Sequence, residues 1–310
     1  MKVLFIDKVH SILQTRLEKE RIECIDGTAF SKNDCLNILP EINGIVIRSR
    51  FRLDQDFLQT GKNLQFIARS GAGMENIDEV FCEKHQIKLF NAPEGNRNAV
   101  GEHAVGMILT LFNRLHIADQ EIRKGKWDRE LNRGIELEGK TIGIIGYGNN
   151  GAAFAEKLSG FDVTILAYDK YRKGFDSGSI IESSIDDIFS QADIVSFHIP
   201  QNEETIYYAD ENFFSSFKKN IYLINLSRGK IVQTSALVEA IKNEKVLGAC
   251  LDVLEYEKSS FESFFEQELD PNFSYLLTSE KVLLSPHVGG WTQESYFKLS
   301  NVLADKILAK

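Results

Sequence analysis

"TIGIIGYGNNGAAFAEKLSGFDVTILAYD" spans residues 141–169 and contains Gly146-x-Gly148-x-x-Gly151. With 22 glycines in 310 residues such spacing arises by chance, so the glycines alone decide little. Their setting decides more. The apolar run "TIGII" leads straight into them and "GAAFAEKLSG", a helix-forming run, leaves them. A second apolar run then ends in Asp169, 18 residues beyond Gly151. Strand, glycine turn, helix and a second strand closed by an acid form the opening of a dinucleotide-binding α/β domain.

Each residue of that stretch has a physical task. Gly146 permits the tight turn, Gly148 lets the backbone approach a pyrophosphate, and Gly151 lets helix and strand pack closely. The helix that follows turns the unpaired N–H groups of its N-terminus toward phosphates, and Asn149 and Asn150, in the turn before it, are expected to contact the cofactor. Asp169 is placed to accept hydrogen bonds from the adenosine ribose and to repel a 2′-phosphate. The cofactor expected is therefore NAD, with Lys170 and Arg172 as a counterweight toward NADP.

Outward from this stretch, 310 residues exceed a single core and predict two domains. A net charge of −9 argues against a nucleic-acid partner, which needs a basic face. There is no run of 18 apolar residues to span a membrane. "MKVLFID" lacks a signal-peptide pattern. Cys24, Cys35, Cys82 and Cys250 show neither metal nor disulfide spacing, so no metal site is expected and a reducing cytoplasm is.

Five β-like runs precede residue 94: "KVLFID", "RIECID", "GIVIRS", "LQFIARSG" and "IKLFNAP". Residues 98–113 follow as a helix apolar around most of its circumference, which must be covered on nearly all sides. From residue 141 come "TIGIIG", "VTILAYD", "ADIVSFHIP", "IYLINLS", "GACLDVL" and "KVLLSPH", separated mostly by helical segments such as 151–159 and 234–243. Continuously apolar runs suit parallel strands buried on both faces, so a six-stranded doubly wound sheet is expected. The amphipathic "TQESYFKLSNVLADKIL" should return to the N-terminal domain, and 258–280 reads as an insertion.

Ligands of such sheets bind at the carboxyl ends of the strands. Arg228 follows "IYLINL", Glu255 and Glu257 follow "GACLDVL", and His287 follows "KVLLS". Alcohol oxidation needs a base for the hydroxyl proton, and histidine suits that task. A carboxylate bonded to the ring would orient it and stabilise its charged form. A fixed guanidinium can bind a substrate carboxylate and polarise the adjacent carbonyl. Both glutamates lie past the strand end, and their positions leave open which one serves. His198 ends a strand in "SFHIP" and is expected to line the cofactor site; His10, His85, His103 and His116 lack comparable placement.

At these residues the chain resembles the D-isomer-specific 2-hydroxyacid dehydrogenases. The likeness runs over essentially the whole chain: "RSGAGMENID" (69–78), "NAP" (91–93), the fingerprint with Asp169, "FHIP" (197–200), "NLSRGKIV" (225–232), "LDVLEYE" (251–257) and "SPHVGG" (285–290). It implies a catalytic trio of Arg228, Glu257 and His287. It implies cofactor contacts at Pro200, Leu226, Ser227, Asp252, Gly289 and Gly290, with Asp252 on the nicotinamide side. The backbone N–H groups of Ser70, Gly71, Ala72 and Gly73 would hold the substrate carboxylate.

The implied architecture is α/β: a Rossmann domain over 98–290 and a discontinuous flavodoxin-like substrate domain over 1–97 plus 291–310, in a homodimer. Within the family the chain is most similar to phosphoglycerate-oxidising members, in a short form without a regulatory domain. Arg48 and Arg69 fall where those members carry basic residues near the substrate. The expected reaction is oxidation of 3-phospho-D-glycerate to 3-phosphohydroxypyruvate, the entry to serine biosynthesis. A reductase of glyoxylate, hydroxypyruvate or another small 2-keto acid is the nearest alternative, and an NAD-sensing co-repressor the alternative of another class. The chain departs from the family pattern at Asn150, Lys258, Trp291 and the 258–280 segment.

Overall fold

The computed structural model describes residues 1–257 and 270–309. Its five early apolar runs become β1 (Lys2–Phe5), β2 (Glu23–Asp26), β3 (Gly44–Ile47), β4 (Phe66–Arg69) and β5 (Lys88–Phe90). They form one parallel sheet in the order β2-β1-β3-β4-β5. Parallel neighbours require crossovers, here α1 (Ile12–Lys19), α2 (Lys32–Ile38), α3 (Gln55–Leu58) and α4 (Glu79–Lys84). Ser31, Asp54 and Asp78 start the last three, each side-chain oxygen accepting the N–H three residues on. The sheet order reverses between β1 and β3, the flavodoxin-like arrangement.

α5 (Pro93–Phe112) begins five residues before the expected helix. Pro93 stands at its first position, where a missing N–H and a fixed φ cost nothing. Val100, Ala104, Met107, Ile108 and Leu111 give it a buried side, consistent with its apolar sequence. α6 (Leu115–Arg123) follows.

The second sheet has seven strands: β6 (Thr141–Ile145), β7 (Thr164–Tyr168), β8 (Ile180–Glu182), β9 (Ile194–Phe197), β10 (Ile221–Asn225), β11 (Val246–Leu251) and β12 (Val282–Leu284). All pair in parallel, in the order β12-β11-β10-β9-β6-β7-β8. The six expected strands are present. β8 is the addition: its three residues, "IIE", pair with β7 at the sheet edge and are too few to show a pattern. The crossovers contain α7 (Asn149–Lys157), α8 (Ile185–Gln191), α9 (Glu211–Ser216), α10 (Thr234–Lys242) and α11 (Pro271–Thr278).

α11 corrects the reading of 258–280 as an insertion. Residues 258–269 lie outside the described residues, but Asp270 caps α11, and Phe273 and Leu276 are buried. Leu276 belongs to the core beneath the sheet. The stretch therefore contains an integral helix.

The chain divides into two compact units: 1–97 with the segment from 291 on, and 98–257 with 270–290. α12 (Gln293–Leu308) belongs to the first. Leu299 and Leu303 join Val3, Leu13 and Leu17 in one buried cluster. Arg16 pairs with Asp305 at 2.6 Å, and Ser300 Oγ accepts the His10 N–H at 3.1 Å. No helix among the described residues is long and apolar enough to cross a membrane.

Candidate active site

The β6–α7 turn has the geometry its glycines require. Gly146 sits at φ 95°, and a Cβ there would lie 2.6 Å from the His198 carbonyl oxygen. A Cβ on Gly151 would stand 2.1 Å from the Gly146 oxygen, so only glycine lets α7 approach the strand this closely. Gly148 caps the helix and faces open space, with no atom within 4 Å of a Cβ position. Open space before a helix N-terminus is what a pyrophosphate needs. Asn149 and Asn150 form the first turn, and the buried Asn150 Oδ1 has no hydrogen-bond partner among the described residues.

Asp169, one residue past β7, organises the neighbouring turn. Its Oδ2 accepts the Tyr147 N–H at 2.8 Å, and Oδ1 accepts those of Tyr171 and Arg172, both at 2.9 Å. Burial works to raise its pKa, but those three N–H groups and the Arg172 charge outweigh it and keep the value below the usual range. The two cations that weighed toward NADP are engaged: Lys170 with Glu204 at 2.5 Å, and Arg172 with the Tyr147 carbonyl at 2.7 Å.

At the other strand ends the structure separates the two glutamates. Glu257 Oε2 lies 2.7 Å from His287 Nδ1, while its Oε1 accepts the Leu254 N–H. Glu255 instead accepts from Tyr207 Oη at 2.6 Å and from the Thr234 N–H at 2.8 Å, which ties it to the start of α10. With Nδ1–H donated to Glu257, the lone pair of a neutral His287 resides on Nε2. His287 has φ 55°, in the left-handed region that few non-glycine residues occupy. On the β10 loop, Arg228 follows a buried Ser227 whose hydroxyl donates to the Phe197 carbonyl at 2.5 Å. An Arg228 guanidinium N–H donates to the Ser227 carbonyl at 2.7 Å.

Asp252 is the acceptor around which this loop is arranged. It is 2% exposed, and its carbonyl accepts the His287 N–H at 2.8 Å. Its Oδ1 accepts the Ser285 hydroxyl at 2.6 Å and the Val288 N–H at 2.9 Å, and its Oδ2 accepts the Gly289 N–H at 2.8 Å. His103 Nε2, on α5, lies 3.0 Å from Ser285 Oγ and 3.6 Å from Asp252 Oδ1. Because Ser285 spends its proton on Asp252, it receives the N–H of His103. Sequence reasoning passed over both residues. An apolar helix conceals His103, and Ser285 stood inside the quoted "SPHVGG" without a stated task.

In the first unit, Ser70 and Gly71 already donate their N–H groups, to the Ile47 and Arg69 carbonyls. Ala72 and Gly73 retain theirs among the described residues, which narrows the expected carboxylate loop to two donors. Arg69 folds beneath this loop: its Nε donates to the Arg48 carbonyl at 3.2 Å, and a Cβ on Gly71 would meet its guanidinium at 2.0 Å. Arg48 stacks on Trp291, with Cζ 3.7 Å from the ring centroid.

Residues 105–289 match the model of "D-isomer specific 2-hydroxyacid dehydrogenase, NAD binding domain". The chain belongs to the D-isomer-specific 2-hydroxyacid dehydrogenases. It is 31% identical over 310 residues to a D-3-phosphoglycerate dehydrogenase of Archaeoglobus fulgidus, covering 99% of this chain and 57% of that one. It is likewise 31% identical to a hydroxypyruvate reductase of Thermotoga maritima, covering 95% and 92%. Among solved structures it is similar to D-lactate dehydrogenase from Aquifex aeolicus complexed with NAD and lactic acid, with 25% identity and a TM-score of 0.81 over 100% of this chain and 95% of that one.

Membership of this NAD-dependent family makes NAD the cofactor of the β6–α7 turn. The open face at Gly148 fits it. Of the other residues expected near the cofactor, Leu226 is buried, its side chain 3.2 Å from a Gly289 Cβ position, and Gly290 ends the same loop. Pro200 is exposed after β9. His198 turns its ring against Phe154 and its Nε2 to Ser196 Oγ at 2.8 Å. Burial pushes its pKa down to about 3, so it is neutral at working pH. No cluster capable of holding a metal ion occurs among the described residues.

Proposed function

We propose that this dehydrogenase oxidises 3-phospho-D-glycerate to 3-phosphohydroxypyruvate, the first step of serine biosynthesis. The observation that carries the chemistry is the 2.7 Å bond between Glu257 and His287 Nδ1, which leaves Nε2 to act as base. Bound NAD supplies the hydride acceptor. His287 Nε2 takes the hydroxyl proton of the substrate. Glu257 fixes the tautomer and stabilises the imidazolium that results. The Arg228 guanidinium pairs with the substrate carboxylate and polarises the developing carbonyl. Arg48 and Arg69 supply the charge that selects a phosphorylated acid, a reading supported by the similarity to D-3-phosphoglycerate dehydrogenases.

The similarity to a hydroxypyruvate reductase favours a second reading, reduction of a small unphosphorylated 2-keto acid. NADH absorbance followed with 3-phosphoglycerate, D-lactate, hydroxypyruvate and glyoxylate separates the two. If glyoxylate or D-lactate outcompetes 3-phosphoglycerate, the first reading is wrong. We also place the enzyme in the cytoplasm as a homodimer: Leu115, Ile122, Trp127, Leu131 and Ile135 all lie exposed within one stretch of 21 residues, an apolar surface suited to a second copy. Sedimentation at a monomer's mass would refute the dimer.

A further inference from the structure

The backbone of Arg48 is held from both sides. Asp7, just past β1, accepts the N–H groups of Arg48, Ser49 and Arg50 at 2.6, 3.1 and 3.3 Å. Arg69 and Asn76 donate to the Arg48 carbonyl at 3.2 and 3.3 Å. Arg50 anchors the same loop by donating to the carbonyls of Ile6, Gly27 and Phe30. The loop lies at the carboxyl ends of β1 and β3, the switch point where this sheet order reverses and where ligands of open α/β sheets bind.

The side chain of Arg48 is another matter. Its guanidinium makes no hydrogen bond among the described residues, and its contact is the face of Trp291 at 3.7 Å. Burial shifts its pKa down against the pull of Asp7 and Tyr296, though an arginine remains charged. A stacked guanidinium is attracted through its face and keeps its N–H donors in the plane, pointing outward along the edge. A partly desolvated cation with an unused donor edge is a receptor for an oxyanion.

We infer that Trp291 determines substrate specificity by holding the Arg48 guanidinium flat, so that its edge receives the phosphate of the substrate. That the anion is the substrate's own phosphate rests on the proposed function; the role of Trp291 rests on the stack. An arginine without such a partner would surrender rotamer freedom at each binding event. The indole removes that freedom beforehand.

The test compares kinetic constants with anion binding. Trp291→Ala should raise KM for 3-phosphoglycerate roughly 3- to 30-fold, the range of a cation–π contact, with the effect on KM rather than kcat. Trp291→Phe should recover most of it. KM for hydroxypyruvate or glyoxylate should move far less. In an Arg48→Ala background, Trp291→Ala should add nothing, because it acts through Arg48. Separately, titration with inorganic phosphate should change the tryptophan fluorescence saturably, and Arg48→Ala or Trp291→Phe should each abolish the change. Additive effects of the two alanines, or equal losses for phosphorylated and unphosphorylated acids, would overturn the inference. A phosphate-dependent signal in a protein that does not oxidise 3-phosphoglycerate would sink the proposed substrate and leave the anion site standing. An Arg48-dependent KM with no effect of Trp291→Ala would do the reverse.

Discussion

Asp252, beyond β11, is buried with both carboxylate oxygens occupied, whereas Arg48, beyond β3, turns a guanidinium edge toward nothing among the described residues. Both follow parallel strands at a carboxyl edge, yet the polar atoms of one side chain are satisfied and, among the described residues, those of the other are not. The second unit fixes the residue proposed as the base: Asp252 and Ser285 hold the His287 loop, His103 bonds to Ser285, and Glu257 orients the ring. Such a network performs best when every member is satisfied before substrate arrives. In the proposed reading the first unit recognises: the Arg48 backbone is clamped by Asp7, Arg69 and Asn76, and its guanidinium edge is the group that substrate binding would satisfy.

The largest effects should come from breaking the completed side. His287→Ala and Arg228→Ala should each lower turnover at least ~100-fold, since a positioned base alone contributes ~10²–10⁴-fold, while NADH titration shows nearly intact binding. If binding collapses with turnover, these residues hold the cofactor rather than do chemistry. Next comes Asp169→Ala. Loss of hydrogen bonds from a charged acceptor should erode the preference for NAD over NADP about 10-fold, read as a ratio of kcat/KM values. A wild type that already uses both equally would remove the basis of the expectation.

Ser285→Ala sharpens the comparison within the second unit. It leaves Asp252 its two backbone donors but cuts the link to His103. Loss of one hydrogen bond, about 1 kcal/mol, should lower kcat several-fold and leave KM for NAD nearly unchanged. Unaltered kcat would confine His103 and Ser285 to packing. The last effect concerns stability in acid and leaves behaviour at working pH unchanged. His198 titrates near 6.5 when unfolded but only near 3 when folded. Below about pH 6.5 the unfolded state therefore binds a proton that the native state refuses, and stability falls as pH drops toward 3. His198→Gln should flatten that slope by up to about 1.4 kcal/mol per pH unit, measured by denaturant unfolding between pH 6 and 4. A steeper slope in the variant would contradict the buried neutral ring.

Much of this organisation was legible in the sequence, for identifiable reasons. Strands buried on both faces read as unbroken apolar runs, so β6, β7 and β9 to β12 stood out; β8, three residues at an edge, did not. The glycines declared their turn because three independent neighbours (strand, helix and acid) agreed with them. Glu255 and Glu257 looked alike because each lies past the same strand end, and only the fold turned one toward Tyr207 and the other toward His287. His103 was hidden because a helix apolar on most sides makes a lone histidine look incidental. Trp291 registered only as a departure from a pattern, since a stacking partner 243 residues away leaves no local trace.

α12 bears on how the chain is made. Leu299 and Leu303 complete the cluster around Val3, Leu13 and Leu17, so the first unit cannot close until residues 293–308 have been synthesised. The 193 residues between 97 and 291 must emerge first, a wait of about 10–40 s at 5–20 residues per second. The intervening unit has all its strands within residues 141–284 and so is made before α12. For that interval the nascent chain carries an unfinished apolar flank around Val3, Leu13 and Leu17, the kind of surface chaperones bind. A transcript cut short after Gly290 would yield a complete nucleotide-binding unit joined to a half that never seals.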